Sequence, residues 1–200
     1  MKSNQIRIES VVGNELKPYL EKIGRLRIEV FREFPYLYDG SEEYEQEYLK
    51  TYLESPDSFA VLVFDNRELV GCSTGIPLRD EDEAFQKPFL MAGIDPEKIF
   101  YCGESILRKK YRGHGIYKYF FSEREQHAKS LDGFNWITFC AVVRAVDHPL
   151  KPENYQSLEP IWSKYGYQKR PDLTTSFSWK DLHEASESEK EMVFWIKPLH

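Results

Sequence analysis

The stretch Cys102-Gly103-Glu104-Ser105-Ile106-Leu107-Arg108-Lys109-Lys110-Tyr111-Arg112-Gly113-His114-Gly115-Ile116 decides how this chain is read. An apolar, strand-like run ends in a basic Gly-x-Gly turn, and the turn opens directly into an amphipathic helix. Glycines at such a turn let the backbone approach a ligand closely. The first N–H groups of the following helix have no partner within the helix, and with the helix dipole they form a site for an anion, most often phosphate. Four cationic side chains (Arg108, Lys109, Lys110 and Arg112) crowd this turn in a chain whose net charge is −6. The competing reading is an ordinary strand-to-helix connection, because a lone Gly-x-Gly is a weak signal.

Outward from the turn, residues 99–107 read as one strand and the helix after it as running to about residue 130. Ile116, Phe120, His127 and Leu131 share one face of that helix, and Asp132-Gly133 ends it. Residues 136–143 are continuously apolar, as expected of a strand at a sheet's buried centre. Upstream, residues 6–11 alternate as a half-buried strand. Tyr19, Ile23, Leu26, Val30 and Phe34 mark a helix over 16–34, which Pro35 ends. Ser41 caps a second helix that closes at Ser55-Pro56. Strands 59–64 and 69–78 form a hairpin through Asp65-Asn66-Arg67, and residues 80–92 read as a loop with a short helix. Downstream, a polar loop over 144–154 leads to a short helix from about Ser157 to Gly166, with Pro160 tolerated in its first turn. Strands 174–179 and 192–196 finish the chain.

Composition bounds the rest. Two hundred residues, 41% of them hydrophobic, suit one α/β domain spanning 1–200, and Gly and Pro (11 each) are too scattered to mark a linker. No 18-residue apolar run predicts a membrane helix, and Met1-Lys2-Ser3-Asn4-Gln5 lacks the apolar stretch of a signal peptide. Cys72, Cys102 and Cys140 are odd in number, far apart and each inside an apolar run. They read as reduced core thiols of a cytoplasmic protein rather than a disulfide or metal framework. The acidic balance argues against a nucleic-acid partner. Aromatic residues make up 15% of the chain, enough to wall a pocket or a subunit interface.

In element order, and most specifically in Lys110-Tyr111-Arg112-Gly113-His114-Gly115 and Trp162-Ser163-Lys164-Tyr165-Gly166-Tyr167, the chain resembles the GNAT (GCN5-related) N-acetyltransferases. That family's turn reads Gln/Arg-x-x-Gly-x-Gly/Ala, so Lys110 departs from it at the first position. The resemblance implies a mixed, mostly antiparallel sheet of about seven strands, flanked by helices and splayed between its fourth and fifth strands. It implies acetyl-CoA as co-substrate, with no metal, and direct transfer to a primary amine of a small molecule. The pyrophosphate would sit on the N–H groups of Arg112, Gly113, His114, Gly115 and Ile116. The pantetheine arm would lie along Ser105, Ile106 and Leu107, with Asn154 touching it. Where family members often carry a Tyr that protonates the departing thiolate, this chain has Trp162, which cannot serve as an acid. The run Arg144-Ala145-Val146-Asp147-His148-Pro149-Leu150 and the ending around Phe177-Ser178-Trp179 and Met192-Val193-Phe194-Trp195 are similar to acetyltransferase domains fused to carbon–nitrogen hydrolases.

Amine acetylation requires a proton acceptor and a donor to the thioester oxygen. Glu104, a carboxylate inside an apolar strand, is one base candidate, its alternatives being a buried ion pair or a solvated surface position. His148, beside Asp147 past the fifth strand, is the other, because histidine titrates near neutrality; the alternative is a structural loop residue. Arg144 reads as a partner of Glu104, an anchor for an acceptor carboxylate, or a plain surface residue. The segment Arg32-Glu33-Phe34-Pro35-Tyr36-Leu37-Tyr38-Asp39 reads equally as the wall of an amine pocket or a homodimer contact. Three rival functions remain open: a CoA-binding sensor without activity, an acetyltransferase of protein amines, and a nucleotide-binding protein that shares only the turn.

Overall fold

The structure, a computed structural model, describes residues 6–200, so the N-terminal residues on which the leader reading rests lie outside the described residues. One twisted sheet carries helices on both faces. The elements run β1 (Ile6–Val12), α1 (Leu20–Phe31), α2 (Glu42–Glu54), β2 (Phe59–Asp65), β3 (Glu68–Pro77), α3 (Glu83–Met91), β4 (Ile99–Tyr101), β5 (Ser105–Leu107), α4 (Ile116–Ser130), β6 (Trp136–Val142), α5 (Glu159–Lys164), β7 (Gln168–Trp179) and β8 (Ser188–Pro198). The strand order is β1-β2-β3-β4-β6-β8-β7, with β5 also on β3. Every pairing is antiparallel except β4 with β6.

The continuous apolar run of β2 explains the layering, because both its faces are covered. Ala60, Leu62 and Phe64 pack with Ile23, Leu26, Leu49 and Tyr52 of α1 and α2. Phe59, Val61 and Val63 pack with Ile116, Phe120 and Phe121 of α4. Each such side chain contributes roughly 1.5–3 kcal/mol by leaving water. Helix α2 starts where the sequence predicts, with the Ser41 hydroxyl accepting the Tyr44 N–H at 3.2 Å. Cys72, Cys102 and Cys140 are all buried free thiols.

Three boundaries differ from the sequence reading. The helix expected over 16–34 is a 3₁₀ turn, Gly13–Tyr19, followed by α1, which stops at Phe31. Pro18 lies inside the 3₁₀ turn, and Pro35 disfavours helical geometry at Phe34. Strands β7 and β8 are longer than their apolar cores because β7 is an edge strand: its polar start, with Pro171, faces outward and bulges between Arg170 and Thr174.

The third difference positions the site. The strand expected over 99–107 is two strands. Tyr101 pairs with Ile76 and Ser105 with Ser73, so three residues, Cys102, Gly103 and Glu104, face two on β3. This is a β-bulge, and it re-aims the chain. Before it, β4 pairs with β6 over Ile99–Tyr101, and the Cys102 N–H to Thr138 O bond (2.8 Å) is the last rung. Beyond it, β5 pairs with β3 and the Phe139–Val142 part of β6 pairs with β8. The sheet splays open between β5 and β6, between the expected fourth and fifth strands.

Candidate functional site

At the turn, Gly113 and Gly115 have φ of +80° and +79°, left-handed values that side chains with a Cβ resist. Gly115 is the N-cap of α4. Among the described residues, the N–H groups of Gly113, His114, Gly115, Ile116 and Tyr117 have no acceptor in the protein. Five donors at a helix start make an anion cradle from backbone alone. Arg112 is not one of them, because its N–H bonds Lys109 O at 3.2 Å. The cationic side chains are also largely committed. Arg112 forks onto Glu33 (2.7 and 3.1 Å), Arg108 pairs with Glu29 and Glu68, and Lys110 lies 3.9 Å from Asp65. Lys109 makes no ion pair among the described residues. The His114 ring sits 3.3 Å from Tyr111 O.

The cradle leads to the open edge of β5. Thr74 N–H bonds Glu104 O and Arg108 N–H bonds Val70 O, so the even-numbered residues face β3. By strand alternation, Ser105 and Leu107 turn their backbone groups to the opening, while Ile106 faces β3. Their carbonyls are already engaged, Ser105 O by the Tyr117 hydroxyl (2.9 Å) and Leu107 O by Arg112 Nε (2.8 Å). That leaves two N–H groups at the edge. Buried Arg124 ties α4 to the bulge through Glu104 O (3.2 Å) and Ser105 Oγ (2.9 Å).

A cavity of about 290 Å³ fills the splay on this side, walled by Tyr117, Phe121, Phe139, Tyr155, Trp162 and Trp195. Trp162 meets Trp195 and Phe139 edge-on, as an apolar wall. Asn154 is exposed and does not line this cavity; its neighbour Tyr155 does.

On the other face of the sheet, a second cavity of about 520 Å³ lies among α1, α2, α3 and β7. Tyr38, Tyr44, Tyr48, Phe85 and Trp179 line it together with Glu47, Glu81 and Asp82. Phe31, Tyr36, Gly103 and Cys140 line both cavities, so the two meet at the bulge. Gly103 is required there, because a Cβ would fall 2.0 Å from the Tyr52 hydroxyl. Burial pushes the Cys140 thiol up to about 12, so it stays protonated and is a poor nucleophile.

Neither proposed base stands free at this junction. The Glu104 carboxylate is buried against Arg27, which also pairs with buried Glu45. It takes the ion-pair role that the sequence left as its alternative. Burial raises its pKa while Arg27 opposes the rise. Oε1 of both Glu45 and Glu104 has no hydrogen-bond partner. His148 lines neither cavity; it packs against Phe34 and its Nδ1 accepts the Leu150 N–H at 3.2 Å. Arg144 does not reach Glu104. It bonds both Asp181 oxygens (2.7 and 2.9 Å) and the carbonyls of Pro35 and Tyr36, which straps the α1–α2 connection to the β7–β8 turn. His148, Asp181 and His183 bring ligand atoms within 4.8 Å of one another, but a cation there would compete with the Arg144 guanidinium for Asp181.

Sequence reasoning missed Glu81, which is buried at the second cavity. Its Oε1 accepts the Tyr52 hydroxyl at 3.3 Å, and its Oε2 accepts the Asp82 N–H at 3.3 Å. Burial, with the Glu104 charge adding to it, pushes the Glu81 carboxyl up to about 7. It stands in a charged loop, where a carboxylate gives no local signal.

No family profile matches the chain, and no curated protein matches it in sequence. Solved structures do. A Desulfovibrio desulfuricans protein assigned to the GNAT family of acetyltransferases is similar over 98% of this chain and 100% of its own, with a TM-score of 0.57 at 8% identity. Arabidopsis thaliana NAA60 in complex with acetyl-CoA is similar over 97% and 98%, with a TM-score of 0.61 at 13% identity. The ribosomal-protein-alanine N-acetyltransferase of Brucella melitensis is similar over 96% and 99%, with a TM-score of 0.61 at 9% identity. The chain has the fold of the GNAT acetyltransferases. Among the described residues, no helix is long and apolar enough to cross a membrane.

Proposed function

We propose that this protein is an acetyl-CoA-dependent N-acetyltransferase acting on a primary amine of a small molecule by direct transfer in a ternary complex. One observation carries the reading: two cavities on opposite faces of the sheet meet at the Gly103 bulge. That arrangement lets a thioester enter from one side and an amine from the other, with no covalent relay between them. The unpaired N–H groups of residues 113–117 suit the pyrophosphate, and the edge N–H groups of Ser105 and Leu107 suit the pantetheine amides. A protonated Cys140 supports direct transfer over an acyl-cysteine intermediate.

The aromatic lining of the second cavity, about 520 Å³ in volume, favours a small acceptor. The similar Brucella melitensis protein is a ribosomal-protein-alanine N-acetyltransferase, which keeps transfer to a protein amine as the alternative. In place of the missing tyrosine of α5, Tyr36, which lines both cavities and is kept protonated by burial, is the candidate to return a proton to sulfur.

The test is thiol release from acetyl-CoA at varied acetyl-CoA and amine concentrations. The expected result is saturation in both substrates with intersecting double-reciprocal lines. Parallel lines would contradict direct transfer. Binding of acetyl-CoA with no thiol released by any amine would make the protein a sensor.

A further inference from the structure

The second cavity combines an aromatic lining with one buried carboxylate, Glu81. Arg27 also lines it, but its guanidinium is already paired with buried Glu45 and Glu104, neither of which lines this cavity. A buried carboxylate such as Glu81 is costly to ionise, and the cost falls when a cation arrives beside it. Tyr38, Tyr44, Tyr48, Phe85 and Trp179 supply flat apolar walls, which suit the body of an aromatic ligand and the faces of a cation. Asp82 and Glu47 are exposed lining carboxylates, Glu47 being paired with Lys50.

A hydroxyl relay connects one of these carboxylates to the junction. Tyr52 donates to Glu81 Oε1 at 3.3 Å, and its hydroxyl lies against Gly103, where the two cavities meet. Tyr48 sits behind it, 3.3 Å between phenol oxygens.

We propose that the acceptor is an arylalkylamine bound as its ammonium ion, and that Glu81, directly or through the Tyr52 hydroxyl, is the base that deprotonates it. This rests on the acetyltransferase reading. The bound R–NH₃⁺ gives one proton to the Glu81 carboxylate, and the freed amine lone pair attacks the thioester carbonyl. The new N–C bond forms, the C–S bond breaks, and the second nitrogen proton goes to sulfur. N-acetylamine and CoA thiol leave, and Glu81 returns its proton to water. A base that titrates near neutrality is matched to this task, and Glu81 is raised to about 7 by burial and by the Glu104 charge. The groups facing it are Arg27 from α1, Tyr48 and Tyr52 from α2, Tyr101 from β4, Glu104 from the bulge, and the flanking Asp80 and Asp82. The same negative surroundings reject an acceptor that carries its own carboxylate.

The experiment compares 2-phenylethylamine with L-phenylalanine, which adds only a carboxylate, and with a tetrapeptide amino terminus, using wild type and Glu81→Gln. The expected kcat/KM for phenylethylamine exceeds that for phenylalanine by at least a hundredfold. Wild-type kcat should rise with pH through the region near 7, because the ionised carboxylate is the working form. Glu81→Gln should lower kcat by roughly 10²–10³-fold and remove that rise, with a smaller change in KM and an unchanged acetyl-CoA dissociation constant. The unchanged dissociation constant also shows that the variant is folded. Three outcomes overturn the inference while leaving the acetyltransferase reading intact. They are equal use of phenylalanine, preference for the tetrapeptide, and a Glu81→Gln enzyme within threefold of wild type with the same pH profile. Absence of thiol release with every amine removes both readings together.

Discussion

The glycine turn and the second cavity are built on opposite plans. The turn is a run of consecutive residues whose working atoms are backbone N–H groups; its arginines are held by surface carboxylates rather than freed for a ligand. The second cavity draws side chains from α1, α2, α3, β4 and β7, and among its lining charges Arg27 and Glu81 are buried. Charge is therefore paired at the surface on the first side and in the interior on the second. Arg112 and Glu33 are each about 40% exposed in their side chains, whereas Arg27 is 10% exposed and Glu104 is not exposed at all.

The sharpest way to break that contrast is to remove one arginine from each side. Arg27→Met leaves Glu45 and Glu104 buried without a counter-charge and should destabilise the fold by about 3–5 kcal/mol. For a chain of this length that lowers the melting temperature by about 6–20 °C. Arg112→Met should cost less than about 1 kcal/mol, as exposed pairs do. Paired thermal melts decide it; comparable losses from the two variants would show that the buried triad carries no special weight.

A smaller effect sharpens the cofactor side. Glu33→Gln releases Arg112 from its fork and leaves the backbone cradle untouched. Acetyl-CoA should then bind about 2–5-fold tighter at low salt, with the gain vanishing near 1 M salt as screening sets in. Titrations at two ionic strengths check this. Weaker binding would mean that the Glu33–Arg112 pair shapes the turn itself.

The same difference in construction explains what was legible in the sequence. The turn's glycines, their left-handed geometry and the helix they start belong to neighbouring residues, so a local reading finds them. The Ser41 cap, the 65–67 hairpin and the two-faced burial of β2 were legible for the same reason. The bulge at Gly103 was not, because it exists only in the count of residues against β3. The start of β7 was hidden by the polarity of an edge strand. Glu104 stood out as a carboxylate among apolar residues, but its partner Arg27 lies 77 positions away. Glu81 was silent altogether: its environment is made by α2 and the bulge, and nothing next to it in sequence distinguishes it from the other acids of its loop.

The central claim is that the 113–117 turn holds the pyrophosphate of acetyl-CoA. Calorimetric titration of acetyl-CoA into wild type and Gly113→Trp tests it most directly. Apart from its chain neighbours, no residue comes within 4 Å of where a Cβ on Gly113 would sit, so the indole would project into open space at the cradle. The variant should stay folded, at a cost of about 1–2 kcal/mol for its left-handed backbone. Wild type should bind acetyl-CoA, and the variant should lose at least a hundredfold in affinity, about 2.8 kcal/mol. No heat of binding to wild type, or equal binding by a folded Gly113→Trp protein, would contradict the account.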